Sequence, residues 1–236
     1  MINLENVSFK WHKKAASPTL TIEQLAIDEG EHVFLHGPSG SGKSTLLALL
    51  AGINVTTSGQ LCVLNQNLSA LTNAQRDAFR ADHIGYIFQQ FNLLPYLNVI
   101  ENVLLPCQFS KVRRNRISAN ANNQALAEQA SALLERLHLP QSLHSRPVSE
   151  LSIGQQQRVA AARALMGHPA LVIADEPTSA LDHDNRMAFI ELLMEQANQV
   201  NATLVFVSHD PTLEPLFNRT INLPDINQCS SAGGLS

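Results

Sequence analysis

No apolar run in this sequence is long enough to cross a bilayer: stretches such as residues 46–53 stop far short of the ~20 residues that a spanning helix needs. Cysteine is scarce as well. Cys62, Cys107 and Cys229 are odd in number and show neither C-x-x-C nor Cys/His ligand spacing, which argues against disulfides and zinc and for a reducing cytoplasm. Positive charge is outnumbered, sixteen basic against twenty acidic side chains, so the net charge of −4 offers no general pull toward nucleic acid and no such partner is expected. The opening "MINLENVSFK" lacks a basic start with an apolar stretch behind it and reads as an alternating strand, so no targeting leader is expected. With 44% hydrophobic and 15% charged residues the composition is globular, and 236 residues suffice for one domain, 1–236, with internal lobes.

What is present is an ordered alternation. Residues 2–8, 20–27 and 32–36 read as strands, and "KSTLLALLAG" as a helix closed by Gly52. Weaker signals follow until the strand-like "HIGYIF". The polar run "RNRISANANNQ" reads as a linker before the helix "ALAEQASALLERLHL", which suggests a second lobe in the middle. From Gln155 a helix, the strand "ALVIAD", a helix from Asn185 to about Val200 and the strand "TLVFVS" restore an α/β order that favours a parallel sheet. The polar end "DINQCSSAGGLS" is expected to fray.

Two motifs carry chemistry on their residues alone. "GPSGSGKST" supplies Gly37, Pro38, Ser39, Gly40, Ser41, Gly42, Lys43, Ser44 and Thr45 in the pattern G-x-x-x-x-G-K-[ST] between a predicted strand and a predicted helix. Glycines there let backbone N–H groups turn toward phosphate oxygens, Lys43 would reach the β- and γ-phosphates of ATP, and Ser44 would hold Mg²⁺. "LVIADEP" ends a buried strand in two acids, of which Asp175 is assigned to the metal and Glu176 to the attacking water. A second helix start, "ELSIGQQQRV", shows a capping-box pattern at Ser152 and Gln155; this leaves Gly154 unexplained, because glycine in a first helical turn costs about 1 kcal/mol relative to alanine. Close approach of a ligand to the backbone would explain it.

Together these residues resemble the ATP-binding-cassette (ABC) ATPases, whose signature is LSGGQ ahead of a helix; Leu151, Ser152, Gly154 and Gln155 match it, and Ile153 stands where the first of its two glycines would be. The resemblance implies an α/β P-loop NTPase fold with a RecA-like core, a small antiparallel β subdomain, a helical subdomain at about 90–160 and a polar tail from about 224. It also implies a head-to-tail dimer in which the ATP of one subunit is sandwiched against the signature helix of a second ATPase subunit. By the same resemblance Gln89 in "YIFQQ" is the Q-loop glutamine, with a share in the metal site and in catalysis. Asp182 in "SALD" is the D-loop aspartate, His209 in "VSHD" the switch histidine, and Trp11 the aromatic that stacks on adenine, with Phe9 as its competitor.

"IGYIFQQFNLLPYLNVIENVLLP" is similar to the branch of lipoprotein-releasing, macrolide-exporting and heterocyst glycolipid-exporting ATPases, which implies integral membrane permease partners at the cytoplasmic face of a bacterial inner membrane. A soluble repair or translation ATPase and a regulator of cell-wall or division machinery stay open as alternatives. "FNLLPYL", residues 91–97, is either core packing or the docking patch for a membrane subunit's coupling helix. "KVRRNR", residues 111–116, reads as a solvated face, with acidic headgroups as the alternative partner.

Overall fold

Strand periodicity places the apolar residues of this chain on two distinct sheets. The computed structural model describes residues 1–12, 15, 17–117, 123–179, 181 and 183–229. β1 (Ile2–Phe9) lies between β2 (Leu20–Ile27) and β4 (Ser58–Val63), with the two-residue β5 (Gln66–Asn67) at the edge, all antiparallel. The other sheet is fully parallel, in the order β6 (Ile84–Ile87), β7 (Leu171–Asp175), β8 (Thr203–Val207), β3 (His32–His36), β9 (Arg219–Asn222). Its central strands read as unbroken apolar runs because both faces are covered.

Val33, Leu35, Leu171, Ile173, Val205 and Val207 point to the side filled by α1 (Lys43–Leu50) and the antiparallel sheet. Phe34, Val172, Ala174, Leu204 and Phe206 point to the opposite side, where the helices gather. Those helices are α3 (Val99–Phe109), α4 (Lys111–Ile117), α5 (Asn123–Arg136), α6 (Ile153–Leu165) and α7 (His183–Gln199). The weak stretch after α1 holds β4, β5 and α2 (Asn73–His83), the last begun by a capping box of Thr72 and Gln75.

Three sequence expectations change. The run 114–124 is not all linker, since Arg114 to Ile117 complete α4 and Asn123 opens α5. The basic run is only in part a solvated face: Lys111 and Asn115 are exposed, but Arg113 is 1% exposed and donates to the carbonyls of Ala164 and Met166, while Arg116 donates to those of Asp82 and His168. Carbonyls at the C-terminal end of a helix lack intrahelical donors, and Arg113 supplies one to α6. The tail from 224 does not fray from its start. α8 (Leu223–Ile226) follows β9, and the Asn227 side chain accepts from the Thr21 N–H and donates to the Ser41 carbonyl. A single asparagine thus pins the segment to β2 and to the glycine-rich loop. Residues 230–236 lie outside the described part.

Candidate functional site

The glycine-rich loop joins β3 to α1 at the carboxyl ends of the parallel strands, where open α/β sheets bind ligands. Gly40 and Gly42 have φ of 78° and 103°, left-handed backbone that side chains rarely adopt, so this turn needs glycine. Gly42 is the N-cap of α1 and no side chain caps that helix, which leaves its first N–H groups free for an anion. Gly37, Ser41 and Gly42 are half-buried, while Pro38, Ser39, Gly40 and Ser44 are exposed. Thr45 is buried, anchoring the first turn.

Lys43 is 7% exposed, and its ammonium donates to the carbonyls of Gly37 (2.7 Å) and Pro38 (3.1 Å), so the side chain folds back over the loop that it serves. Burial holds this ammonium below its ordinary pKa, partly offset by Glu176 and Asp175. Asp175 ends β7. Burial and the neighbouring Glu176 push its carboxyl up, against a hydrogen bond from the Tyr86 hydroxyl and the charge of Lys43. A half-buried carboxylate beside another one suits a hard divalent cation, and the oxygens that Ser44, Asp175 and Gln89 carry are of the kind that Mg²⁺ takes.

Glu176 follows with φ 47°, an unusual value for a residue with a side chain, and its N–H is held by the Val207 carbonyl at 3.0 Å. Its carboxylate is gripped from two sides: His209 Nε2 lies 2.8 Å from Oε1, and Gln89 Nε2 donates to Oε2 at 3.4 Å. His209 is carried by the loop after β8, which Arg186 of α7 ties down through an ion pair with Asp210. A 270 Å³ cleft opens here, lined by Glu176, Ser179, Ser208 and His209 among others. The structure thus brings together Lys43, Asp175, Glu176, Gln89 and His209, four separate chain segments. It adds two residues that sequence reasoning missed, Tyr86 and Arg186. Nothing in the sequence marks Arg186 as the partner of Asp210, because the pair is made by the return of β8 beside α7.

The second helix start stands apart. Ser152 is the N-cap of α6, accepting from the Gln155 N–H, while Gln155 reaches back to the Ser152 N–H at 2.9 Å. Ser152 and Ile153 are exposed. A Cβ built on Gly154 would meet only Leu181 Cδ2, at 3.6 Å, so the fold of this chain does not require a glycine there. Trp11 is 58% exposed and packs edge-on against Phe9, their centroids 5.2 Å apart; Phe9 itself is buried, which leaves only Trp11 available to a flat ligand. Asp182 lies outside the described residues.

The sequence pattern of the family described as ABC transporter matches residues 20–179. The chain is 39% identical over 212 residues to the lipoprotein-releasing system ATP-binding protein LolD of Hydrogenovibrio crunogenus, covering 90% of this chain and 88% of that one. It is 41% identical over 204 residues to the uncharacterized ABC transporter ATP-binding protein YbbA of Escherichia coli, covering 86% and 85%. Among solved structures it resembles the ATP-binding cassette MJ0796, described as a dimer in a post-hydrolysis state bound to ADP and phosphate, with a TM-score of 0.82, 35% identity and 94% of each chain covered.

Proposed function

The chain belongs to the ABC transporter family of ATP-binding proteins, and we propose that Lys43, Asp175, Glu176, Gln89 and His209 are its hydrolytic centre. It is the ATPase subunit of a transporter, and its cassettes work as a dimer. The observation that carries the site assignment is Glu176: one carboxylate fixed between His209 and Gln89, directly after the metal-type acid and within the field of Lys43.

In this reading the ATP phosphates lie over residues 37–45, with the N–H groups of the loop and of the uncapped α1 start pointing at them and the adenine on Trp11. Lys43 exchanges its two loop carbonyls for phosphate oxygens. Ser44, Asp175 and Gln89 would hold Mg²⁺, which when bound would neutralise the phosphate charge. Glu176 accepts a hydrogen bond from the attacking water and takes its proton, while His209 and Gln89 keep the carboxylate aimed. Asp182 is placed at the dimer contact by family resemblance alone.

Ser152, Gly154 and Gln155 face the nucleotide of the second subunit. The exposed helix start and a glycine that its own chain does not need both support this role. The test is the Glu176→Gln chain with Mg-free ATP: gel filtration or light scattering shows a dimer if two trapped nucleotides bridge two copies, and a monomer at saturating ATP counts against the sandwich.

No helix among the described residues is long and apolar enough to cross a membrane. The chain's likeness to transporter ATP-binding subunits supports a permease as partner, with this chain at the cytoplasmic face of a bacterial inner membrane. The 91–97 stretch divides between the two roles expected of it: Phe91 is buried and Leu93 packs on the core, whereas Tyr96 is 78% exposed. A groove of about 440 Å³ lies alongside, lined by Phe88, Leu105, Pro106 and Phe109 and also by Asp77, Arg80 and Arg163, and it suits an amphipathic helix of a permease. Tyr96→Asp should leave folding and ATP binding intact while reducing co-purification with the membrane subunit; normal complex formation removes Tyr96 from the interface.

A further inference from the structure

Gln157 is the one wholly buried side chain on the first two turns of α6 that makes no sense as packing. It is 0% exposed, and neither its Oε1 nor its Nε2 has a hydrogen-bond partner among the described residues. Buried amides in native proteins are almost always satisfied, so a side chain in this state calls for a partner other than the protein groups around it.

The side chain borders a cavity of about 190 Å³ that it shares with Ser152, Gly154, Arg158, Leu181, Asn185 and Phe189. Arg158 Nε, on the same helix, is likewise buried without a partner. At roughly 30 Å³ per molecule the space is enough for several waters, and its polar groups supply the contacts that waters need. One wall of the cavity is the first turn of α6, and the other is formed by Leu181 and by Asn185 and Phe189 of α7.

We propose that Gln157 is a positioning residue for nucleotide-driven pairing of two chains, its amide binding ordered water in this cavity and so locking the Ser152–Gly154 turn to Asn185 and Phe189 of α7. The inference rests on the sandwich reading of α6 given above. When the nucleotide of a second copy docks on Ser152 and Gly154, the water-filled joint holds that turn against α7 in the geometry that pairing requires. An apolar side chain at 157 would displace the water and remove the group that holds it, at no cost to the folding of the separate chain.

Folding and pairing are then separable, and this is the measurable signature. Gln157→Leu and Gln157→Met, each in the Glu176→Gln background, should melt at the same temperature as the parent or about 2–4 °C higher. Their ATP-induced dimerisation, read by analytical ultracentrifugation, should weaken roughly tenfold or more, the scale of losing one or two bridged hydrogen bonds. Nucleotide affinity of the separate chain is measured alongside, so that weaker pairing is not confused with weaker loading. A lowered melting temperature in both variants overturns the proposal, since the amide would then be an ordinary part of the core. Undiminished dimerisation overturns it as well. The parent chain reports on the underlying reading separately: if Glu176→Gln alone forms no dimer with ATP, the sandwich fails first and this inference falls with it.

Discussion

The starts of α1 and α6 are both helix N-termini on the surface of one chain, and they are finished in opposite ways. α1 begins at a left-handed glycine with no side-chain cap, and its lysine folds back to hydrogen-bond two loop carbonyls that it must release when phosphate arrives. α6 begins with Ser152 and Gln155 capping each other, so two of its N–H groups are already occupied by its own side chains. The first start is an open receptor whose other parts, Glu176, His209 and Gln89, are assembled within the chain. The second is a self-satisfied end with an unneeded glycine and an unsatisfied glutamine below it. On the proposed reading, one region is complete for binding and the other completes a site only in a pair.

The sharpest way to break this contrast is at Lys43. Lys43→Ala should abolish ATP turnover, because the lysine is the main side-chain charge on the transferring phosphate. Retained turnover with normal nucleotide affinity would mean that the α1 start is not the receptor. Next in size is Glu176→Gln, which should cut hydrolysis about 10²–10⁴-fold, the scale of a lost general base, while leaving ATP binding in place. Steady-state phosphate release set against equilibrium nucleotide binding separates the two. Normal hydrolysis would pass the role of base to another group.

The α6 half of the contrast is addressed by Ser152→Asp. Aspartate caps a helix as well as serine does, so the melting temperature should hold, but it sets a negative charge against the phosphate of a second copy. Pairing in the Glu176→Gln background should fall about 100-fold, the consequence of apposed like charges. If pairing survives with an intact cap, this turn does not meet an anion.

How far such residues could be read from the sequence depends on how local their causes are. The loop at 37–45, the acids at the end of "LVIAD" and the capping box of α6 each depend on a few adjacent residues, and the structure places them on the elements expected. His209 and Gln89 were available only through resemblance, because their meeting at Glu176 is made by strand order: β7 lies between β6 and β8. Arg113 was misread for a related reason. Its use is to satisfy carbonyls at the end of α6, some fifty positions away, and composition around residue 113 carries no trace of that. Asn227 follows the same rule, since its partners Thr21 and Ser41 belong to the opposite end of the chain.

The smallest effect expected concerns Asp175, and it tests whether the receptor is strained while empty. Burial and the adjacent Glu176 raise the Asp175 carboxyl above its ordinary value, and the Tyr86 hydroxyl and Lys43 only partly restore it. For a group whose folded-state pKa is raised, the associated stability is full below the unfolded pKa and is lost as pH rises through the folded one. At neutral pH the ionised carboxylate is thus a burden on the nucleotide-free chain. Asp175→Asn, which keeps the shape and removes the charge, should raise the melting temperature of that chain by about 2–4 °C at pH 7–8. The gain should shrink as pH is lowered toward the carboxylate range, where the natural residue is itself protonated. Scanning calorimetry across that range checks both sign and slope. The site that is most finished as a binder would then be the least comfortable when empty, its acids held together for a cation. A variant that is less stable at neutral pH would show instead that Tyr86 and Lys43 outweigh the desolvation of Asp175, and that the receptor is relaxed before its ligand arrives.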